Sequence, residues 1–277
     1  MSGLLLAALS ALVWGAGDFC GGKASQRADS MHVTVVTMLT GVPLVTVAAA
    51  LVSRGAPAPV DLTWGAAAGV AGFAGLVLFY RALAGGAMAV AAPVTAMTSA
   101  LTPLVVGLAT EGSPGFLALV GAVFAVAAVG LVSLGTGPAG PVRGSVLAMA
   151  LLAGVLFGLF FVGLKQASSA AGLWPLVAAR VAGLAAGLAI LASRRSAPRL
   201  PAWSLRAAVV AGVFDVSANV LYLLAAQRGE LSVVGPIASL YPASTVALAL
   251  LVDRERLRLV QVAGLGLAVA ALVLTAA

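Results

Sequence analysis

Ten apolar segments of helical length follow one another along the chain, separated only by short connectors. A membrane-spanning helix needs about 17 to 25 mostly apolar residues, because it must match the hydrocarbon core of the bilayer. The connectors, such as SRGAPAPVD and TEGSP, are far too short to form a soluble domain. The pattern therefore predicts an all-α membrane protein with ten transmembrane helices. The predicted spans are about 4–22, 32–52, 63–84, 88–109, 115–135, 144–164, 173–193, 205–226, 231–251 and 259–276.

The composition favours lipid over water as the solvent of this chain. Hydrophobic residues make up 62% of the 277 positions and charged residues 8%. A soluble domain carries about a quarter charged residues, so this chain would expose large apolar patches in water. The net charge of +7 arises mainly from arginines in short connectors. Such arginines favour anionic lipid headgroups as partners, and no nucleic acid is expected.

The stretch GAGDFCG at 15–21 is close to the glycine fingerprint that binds a dinucleotide pyrophosphate. That fingerprint requires a strand before the glycines and an acidic residue about 20 positions further on. Here an apolar run leads directly into the glycines, and Lys23 and Arg27 follow. We interpret Gly17 and Gly21 as a G-x-x-x-G surface that lets a neighbouring helix approach. No cofactor or metal is expected from a chain with one cysteine and one histidine.

An internal repeat relates the two halves of the chain. A shift of 143 residues aligns Pro93 with Pro236 and Gly69 with Gly212 without a gap. Each half contains five predicted spans, and because five is odd, the second half must lie upside down relative to the first. Inverted halves of this kind are typical of carriers that work by alternating access. We therefore predict two inverted five-helix repeats, 1–137 and 138–277.

Several motifs resemble those of EamA-type transporters of the drug/metabolite transporter superfamily. They are the dipeptide WG near the end of span 1, the aligned Pro93 and Pro236, and the acidic residues Glu111 and Glu255 before spans 5 and 10. The stretches GAGDF and FYRALAGGAMAVAAP are also similar to bacterial members. The resemblance extends over all ten spans. It implies a ten-helix carrier of small metabolites, amino acids or drugs in the cell membrane.

Two indications disagree about the side on which the termini lie. Most lysines and arginines fall in connectors on the side opposite the N-terminus, and positive residues favour the cytoplasm. This bias places both termini outside. The family resemblance implies that both termini lie inside, so the orientation stays open.

A carboxylate within span 8 is the first candidate for a substrate site, since a charge at a helix centre costs about 2.5 to 3.5 kcal/mol on insertion scales. Asp215 lies near the middle of the span, and Asn219 and Tyr222 follow at i+4 and i+7 on the same helix face. The three side chains are predicted to face a wet cavity. The alternative is an aspartate that bonds a neighbouring hydroxyl and locks the bundle.

Two further charged side chains lie within the spans. Asp18 shares a helix face with Trp14 near the end of span 1, where it is predicted to take part in the substrate path, to reach water or to pair with Lys23. Arg180, in span 7, is predicted to bind a substrate carboxylate bidentately, to neutralise Asp215, or to snorkel to the interface. Four aromatic side chains are predicted either to line a cavity or to pack in the core: Trp14, Phe157, Phe160 and Phe161.

A stripe of hydroxyl groups on span 4, with partners on span 9, is predicted to line a substrate path. Prolines in these two spans remove backbone donors and free carbonyls four residues earlier, which cavity water must then satisfy. The alternative is that the hydroxyls bond to their own helix. The stripe is Thr95, Thr98, Ser99 and Thr102, its partners are Tyr241 and Thr245, and the helix-interrupting prolines are Pro93, Pro103, Pro236 and Pro242.

The function predicted from these features is secondary transport of a small organic solute, with efflux as the expected direction. No G-x-x-x-x-G-K-[ST] loop occurs in the sequence, so ATP is not the direct energy source. If a proton drives transport, Asp215 is the first candidate carrier, because burial disfavours the charged form of a carboxylic acid. A monomer is expected, since two fused halves complete the repeat pair.

Two other classes of function remain as alternatives. A channel would be expected to carry rings of charge or a filter motif, and neither occurs in the sequence. A membrane-embedded lipid-modifying enzyme would need clustered Asp, His or Glu, but the chain has one histidine and no acidic pair at i, i+3 or i+4 within a span. We therefore expect a protein that is not an enzyme.

Overall fold

A computed structural model describes residues 2–53, 55–84, 88–112, 115–133, 144–195, 199–241, 244 and 259–276. Within these ranges the regular structure is entirely helical, in agreement with the all-α expectation. The helices are α1 Ser2–Ser25, α2 Ser30–Val52, α3 Pro59–Ala84, α4 Met88–Thr110, α5 Phe116–Ser133, α6 Gly144–Gln166, α7 Trp174–Ser193, α8 Ala202–Ala226, α9 Leu231–Ala238 and α10 Leu259–Ala276. A short 3₁₀ helix, Ser169–Ala171, precedes α7.

Six helices in the described ranges are long and apolar enough to cross a membrane: α1, α2, α3, α6, α7 and α8. Shorter apolar segments occur in the other long helices, at Val94–Thr110, Phe116–Ala128 and Val262–Ala271. Of the predicted ninth span, the structure describes the chain up to Tyr241 and the single residue Ser244. The predicted site residues Pro242 and Thr245 lie outside the described residues, as does the predicted boundary between the halves at 137/138.

Many large apolar side chains lie exposed on the outside of the bundle, and alanines are prominent among the fully buried residues. Leu51 is 81% exposed and Phe116 79%. By contrast, Ala125, Ala150 and Ala225 are fully buried. A soluble protein buries its large apolar side chains, whereas helices in lipid pack through small residues that let the backbones approach closely. The distribution is therefore that of a helical membrane protein.

The pattern of helix contacts is symmetric with respect to the two halves of the chain. Helix α1 packs against α8, as α6 packs against α3; α2 packs against α8, as α7 packs against α3. Helix α4 packs against α6, as α9 packs against α1, and three further contacts join equivalent helices, α2 with α7, α4 with α9 and α5 with α10. Exchange of α1–α5 with α6–α10 leaves this set of pairings unchanged. The first and second halves therefore interlock instead of packing as separate bundles.

Glycines permit the closest of these helix contacts. Gly17 lies against α8, where an added Cβ would approach the Ala211 carbonyl oxygen to 3.5 Å. A Cβ at Gly21 would overlap the hydroxyl of Tyr80 on α3. The prediction of a G-x-x-x-G packing surface on α1 is confirmed. The same small surface brings the α1 residues Trp14 and Asp18 against the centre of the bundle.

The prolines do not all end their helices. Helix α4 is continuous from Met88 to Thr110, so Pro93 and Pro103 lie inside an unbroken helix, in contrast to the expected interruption. The proline ring removes one hydrogen bond, and the flanking turns hold the helix together. Pro236 lies two residues before the end of α9 at Ala238, where a turn follows.

Candidate functional site

A cavity lies between the two halves, about midway along the helices that surround it. It encloses about 650 Å³ of empty space, part of which is open to the outside. Its lining comes from α1, α2, α3, α6, α7 and α8, and from Tyr241 just beyond α9. Nine of the predicted site and aromatic residues contribute to this lining, which is otherwise apolar or made of small residues. They are Trp14, Asp18, Phe157, Phe160, Phe161, Arg180, Asp215, Asn219 and Tyr241.

Asp215 is held by polar contacts from three helices. Its Oδ2 forms an ion pair with Nη2 of Arg180. Its Oδ1 accepts a hydrogen bond of 3.1 Å from the indole Nε1 of Trp14 and another of 3.1 Å from Nδ2 of Asn219. Nη1 of Arg180 also donates to the sulfur of Met38 at 3.2 Å. Of the roles predicted for Arg180, the structure therefore realises the neutralisation of Asp215, and the cluster joins α1 and α2 to α7 and α8.

Tyr222 supports the cavity from behind. Its ring packs on Phe161, with the ring centroids 4.6 Å apart, and on Trp14, with the centroids 5.8 Å apart. Its hydroxyl donates to the backbone carbonyl of Phe161 at 3.2 Å, and the residue is fully buried. The shared helix face predicted for Asp215, Asn219 and Tyr222 is thus observed, but Tyr222 positions the aromatic wall and is not itself part of the lining.

Asp18 lines the same cavity without a partner of its own. Its carboxylate has neither an ion pair nor a hydrogen bond with any residue that the structure describes. The ammonium group of Lys23, its predicted alternative partner, lies over the ring of Phe19, 5.5 Å from the centroid. Lys23 follows Asp18 by five residues, which places it on a different side of the helix. Asp18 therefore faces the cavity as an unpaired acid.

Four pairs of lining residues occupy equivalent positions in the two halves. Each pair is separated by 143 residues, the same shift that aligns the repeat. One pair is aromatic in both halves, and the members of the other three differ in character, so the cavity is symmetric in position and largely asymmetric in chemistry. The pairs are Trp14 with Phe157, Asp18 with Phe161, Gly72 with Asp215, and Leu76 with Asn219.

The hydroxyl stripe of α4 lies against α6, and its members are not part of the cavity lining. Thr95 donates to the carbonyl of Ala150 on α6 at 3.0 Å. Thr98, Ser99 and Thr102 donate to carbonyls of their own helix at 2.7 to 3.0 Å. A Cβ added at Gly154 or Gly158 of α6 would overlap Thr98 or Thr102. In this conformation the stripe makes helix contacts, and its role in a substrate path stays a prediction.

Five lining residues escaped the sequence analysis because their types carry no chemical signal: Met38, Gly69, Gly72, Leu76 and Ala179. Met38 accepts a hydrogen bond from Arg180, and Leu76 and Ala179 are apolar. An alanine-rich or leucine-rich helix face looks the same whether it meets lipid, another helix or a cavity. Leu76 could have been found through the repeat, since the 143-residue shift carries it onto Asn219.

A second polar cluster lies at the helix ends on one face of the bundle. Glu111, just after α4, lies 3.6 Å from Nζ of Lys165 on α6 and accepts a hydrogen bond of 2.7 Å from the backbone N–H of Leu231. Lys165 also donates to the carbonyls of Ala226 and Gly229 at 2.7 Å. On the same face, the Asp61 carboxylate, the Ser53 hydroxyl and the Gln227 amide bond to the segment between α6 and α7.

The fold has been seen before in a distant solved structure. A structure named only as "Crystal structure of protein" covers 98% of this chain, and the chain covers 95% of that one, with 17% sequence identity and a TM-score of 0.75. At this identity the similarity shows the fold alone. No curated protein matches the chain significantly.

Long apolar helices around a central polar and aromatic cavity define a multi-pass membrane protein of the transporter type. The model of the EamA-like transporter family matches residues 1–134 and 144–277, nearly the whole chain. The chain therefore belongs to the EamA-like transporter family, and the resemblance noted from its motifs is confirmed. Membership identifies a membrane transporter of the drug/metabolite type.

Proposed function

We propose that this protein is a secondary transporter that exports a small organic solute across the cell membrane by alternating access. The observation that carries the proposal is the position of the cavity, which lies between the halves and is lined at repeat-equivalent positions. Two interlocked halves that rock about such a cavity would expose it to one side of the membrane and then to the other.

The proposed topology is ten spans in two inverted repeats, 1–137 and 138–277, with both termini on the same side. It is supported by the gap-free 143-residue shift, by the exchange of helix contacts between the halves and by the paired lining positions. Terminal tags and single engineered cysteines, labelled from each side of sealed vesicles, test this topology and also decide the orientation. An even number of crossings in each half would contradict it. The functional unit is proposed to be a monomer.

The energy source is proposed to be a gradient, with Asp215 as the first candidate for a proton carrier. Asp215 holds together groups from both halves, because Trp14 belongs to the first half and Arg180 to the second. A proton that binds the carboxylate would compete with both contacts. Protonation would thereby loosen a connection between the halves, which is what coupling of a proton to rocking requires.

The deciding experiment is counterflow in liposomes that contain the purified protein. A thermal-shift screen against amino acids, amines and organic acids identifies a ligand, which is then used in radiolabelled form. In a carrier, unlabelled solute preloaded inside the vesicles accelerates uptake of the label, because the loaded carrier returns faster than the empty one. A channel would show no such acceleration, and that result would replace alternating access with a pore.

A further inference from the structure

The charges that face the cavity do not balance. Asp18 and Asp215 contribute two carboxylates, while Arg180 is the single cation among the described lining residues. Arg180 is already in contact with Asp215. Among the residues that the structure describes, the carboxylate of Asp18 therefore has no counter-charge, and its surroundings are mostly apolar side chains. Because an unpaired charge in such surroundings is costly, a bound cation would complement the cavity better than an anion or a neutral molecule.

Asn219 adds a second acceptor that lacks a donor. Its Nδ2 lies 2.6 Å from the backbone carbonyl oxygen of Asp215 and 3.1 Å from Oδ1 of the same residue. Both of these atoms are acceptors, which fixes the amide orientation and turns Oδ1 of Asn219 the other way. That oxygen is buried and accepts no hydrogen bond from the residues that the structure describes, and Asn219 is only 2% exposed. A buried acceptor of this kind calls for a ligand with N–H or O–H groups.

Two donor groups of the cavity already have acceptor partners. The indole N–H of Trp14 bonds to Asp215, and the Arg180 guanidinium contacts Asp215 and Met38. A solute that carries a carboxylate would have to displace Asp215 from Arg180, and its charge would also be repelled by the carboxylate of Asp18. The Asp18 carboxylate and Oδ1 of Asn219, which have no partner among the described residues, are both acceptors.

Aromatic rings supply the rest of the lining. Phe157, Phe160 and Phe161 project from α6, and Trp14 packs beside Phe161 with the ring centroids 5.3 Å apart. Phenyl and indole faces bind apolar groups, and they also attract cations through the ring quadrupole. The wall therefore suits a ligand whose positive group is attached to an apolar or aromatic body.

We propose that the solute of this cavity is an organic amine that carries one positive charge, several N–H donors and an apolar or aromatic body. The ammonium group pairs with Asp18, its N–H donors serve the open acceptors of the cavity, and its body packs on the rings of α6. The proposal rests on the proposed function, since it names the class of solute for the same cavity. It excludes zwitterionic amino acids and organic acids as preferred ligands.

Three ligands of similar shape test which charge the cavity prefers. 2-Phenylethylamine, phenylalanine and 3-phenylpropionate share a phenyl ring on a short chain and differ in their charged groups. Titration calorimetry with the full chain in detergent is expected to show that the amine binds at least about tenfold more tightly than either of the others, because phenylalanine adds a carboxylate that Asp18 repels and 3-phenylpropionate has no cation to pair with Asp18. Equal or tighter binding of phenylalanine or phenylpropionate, or no binding of the amine by folded protein, would overturn the proposal.

Two matched substitutions locate the binding group. Asp18→Asn removes the unpaired carboxylate and is expected to weaken binding of 2-phenylethylamine about tenfold or more. Glu230→Gln makes the same change of charge at an exposed residue whose side chain does not cap its helix, and it should leave the affinity unaltered. An equal affinity for the two variants would contradict the assignment to Asp18. If Asp18→Asn fails to fold, Asp18→Glu, which retains the charge, together with the three probes on the unaltered protein still decides the question.

Failure of this proposal can be told apart from failure of the transport function. An amine that binds through Asp18 but shows no counterflow in liposomes would refute transport and leave the ligand class intact. Counterflow of an organic acid or a zwitterion, without binding of the amine, would refute the ligand class and leave transport intact.

Discussion

Gly72 and Asp215 occupy equivalent positions in the two halves, and both line the same cavity. At Gly72 the missing side chain leaves room for the ring of Phe160, since a Cβ there would lie 2.9 Å from the ring carbon Cδ2. At Asp215 the same position carries a carboxylate that binds Arg180. The two equivalent positions thus differ in chemistry, because an aromatic ring lies next to Gly72 and Asp215 carries a charge.

Because Arg180 and Asp215 form an ion pair, the effects of substituting them on the free energy of unfolding should depend on each other. Arg180 is 4% exposed, so its charge cannot reach water easily when its partner is removed. We expect Asp215→Asn to lower the free energy of unfolding by about 3 to 5 kcal/mol, the usual cost of stranding one member of a buried pair. The double variant Arg180→Met/Asp215→Asn should recover most of this loss, because it removes both charges of the pair.

Thermal unfolding in one detergent, read for both single variants and the double variant, measures this coupling as a double-mutant cycle. Single and double variants whose effects simply add would show that the two side chains do not interact in the folded protein.

The same carboxylate should control any proton dependence of transport. Asp215→Asn keeps a side chain of equal size but removes the group that could exchange a proton while holding Trp14 and Arg180. We expect an inwardly or outwardly directed pH gradient to drive solute movement in vesicles with the unaltered protein and not with this variant. Glu230→Gln is the matched control. Unchanged pH-driven transport in Asp215→Asn would remove this residue from the coupling mechanism.

Local periodicity explains what could be predicted about this site from the sequence. The shared face of Asp215, Asn219 and Tyr222 follows from 3.6 residues per turn, and the structure has it. The period does not predict which helix lies against each face, because that depends on how the helices pack together. For this reason the sequence did not determine whether Arg180 binds a ligand or pairs with Asp215. The structure shows the contact with Asp215.

The hydroxyl stripe of α4 is a second example of a feature whose neighbours the sequence does not predict. The spacing of Thr95, Thr98, Ser99 and Thr102 correctly places them along one side of α4, but the packing of α6 against that side determines what they meet. Polar spacing alone is compatible with a cavity or with a helix contact. Glycines on the partner helix, Gly154 and Gly158, are the feature that distinguishes a close contact from an open path here.

Close approach between α3 and α7 should make Gly69 sensitive to the smallest substitution. A Cβ at Gly69 would overlap the backbone carbonyl of Ala179, and backbone atoms cannot move aside as the end of a flexible side chain can. We expect Gly69→Ala to lower the free energy of unfolding by about 1 to 3 kcal/mol. Gly266→Ala, in α10, is the matched control, since no atom lies within 4 Å of the added Cβ.

The control should be neutral or slightly stabilising, because alanine favours a helix over glycine by about 1 kcal/mol. Thermal unfolding of both variants in the same detergent compares them. An unfolding midpoint for Gly69→Ala as high as that of Gly266→Ala would show that the two helices are farther apart than described.

Glu111 should help to keep the cavity closed on the face of the bundle where this residue lies. It connects the end of α4, in the first half, to Lys165 of α6 and to the start of α9, in the second half. Glu111→Gln removes the ion pair, whereas Lys165 retains its hydrogen bonds to Ala226 and Gly229. The ion pair is partly exposed, and such pairs contribute about 0.2 to 1 kcal/mol. We therefore expect the substitution to increase opening of this face about 1.4- to fivefold.

Labelling of a cavity cysteine measures this opening. Cys20→Ser removes the native thiol, Ala179→Cys places a thiol in the lining, and a membrane-impermeant maleimide is applied from the face that carries Glu111. The rate of labelling should rise in Glu111→Gln and stay at its starting value in Glu230→Gln, which removes an exposed carboxylate near the start of α9. Faster labelling from the opposite face, or an equal rate in the two variants, would show that the Glu111–Lys165 contact supports the helix ends without closing the cavity.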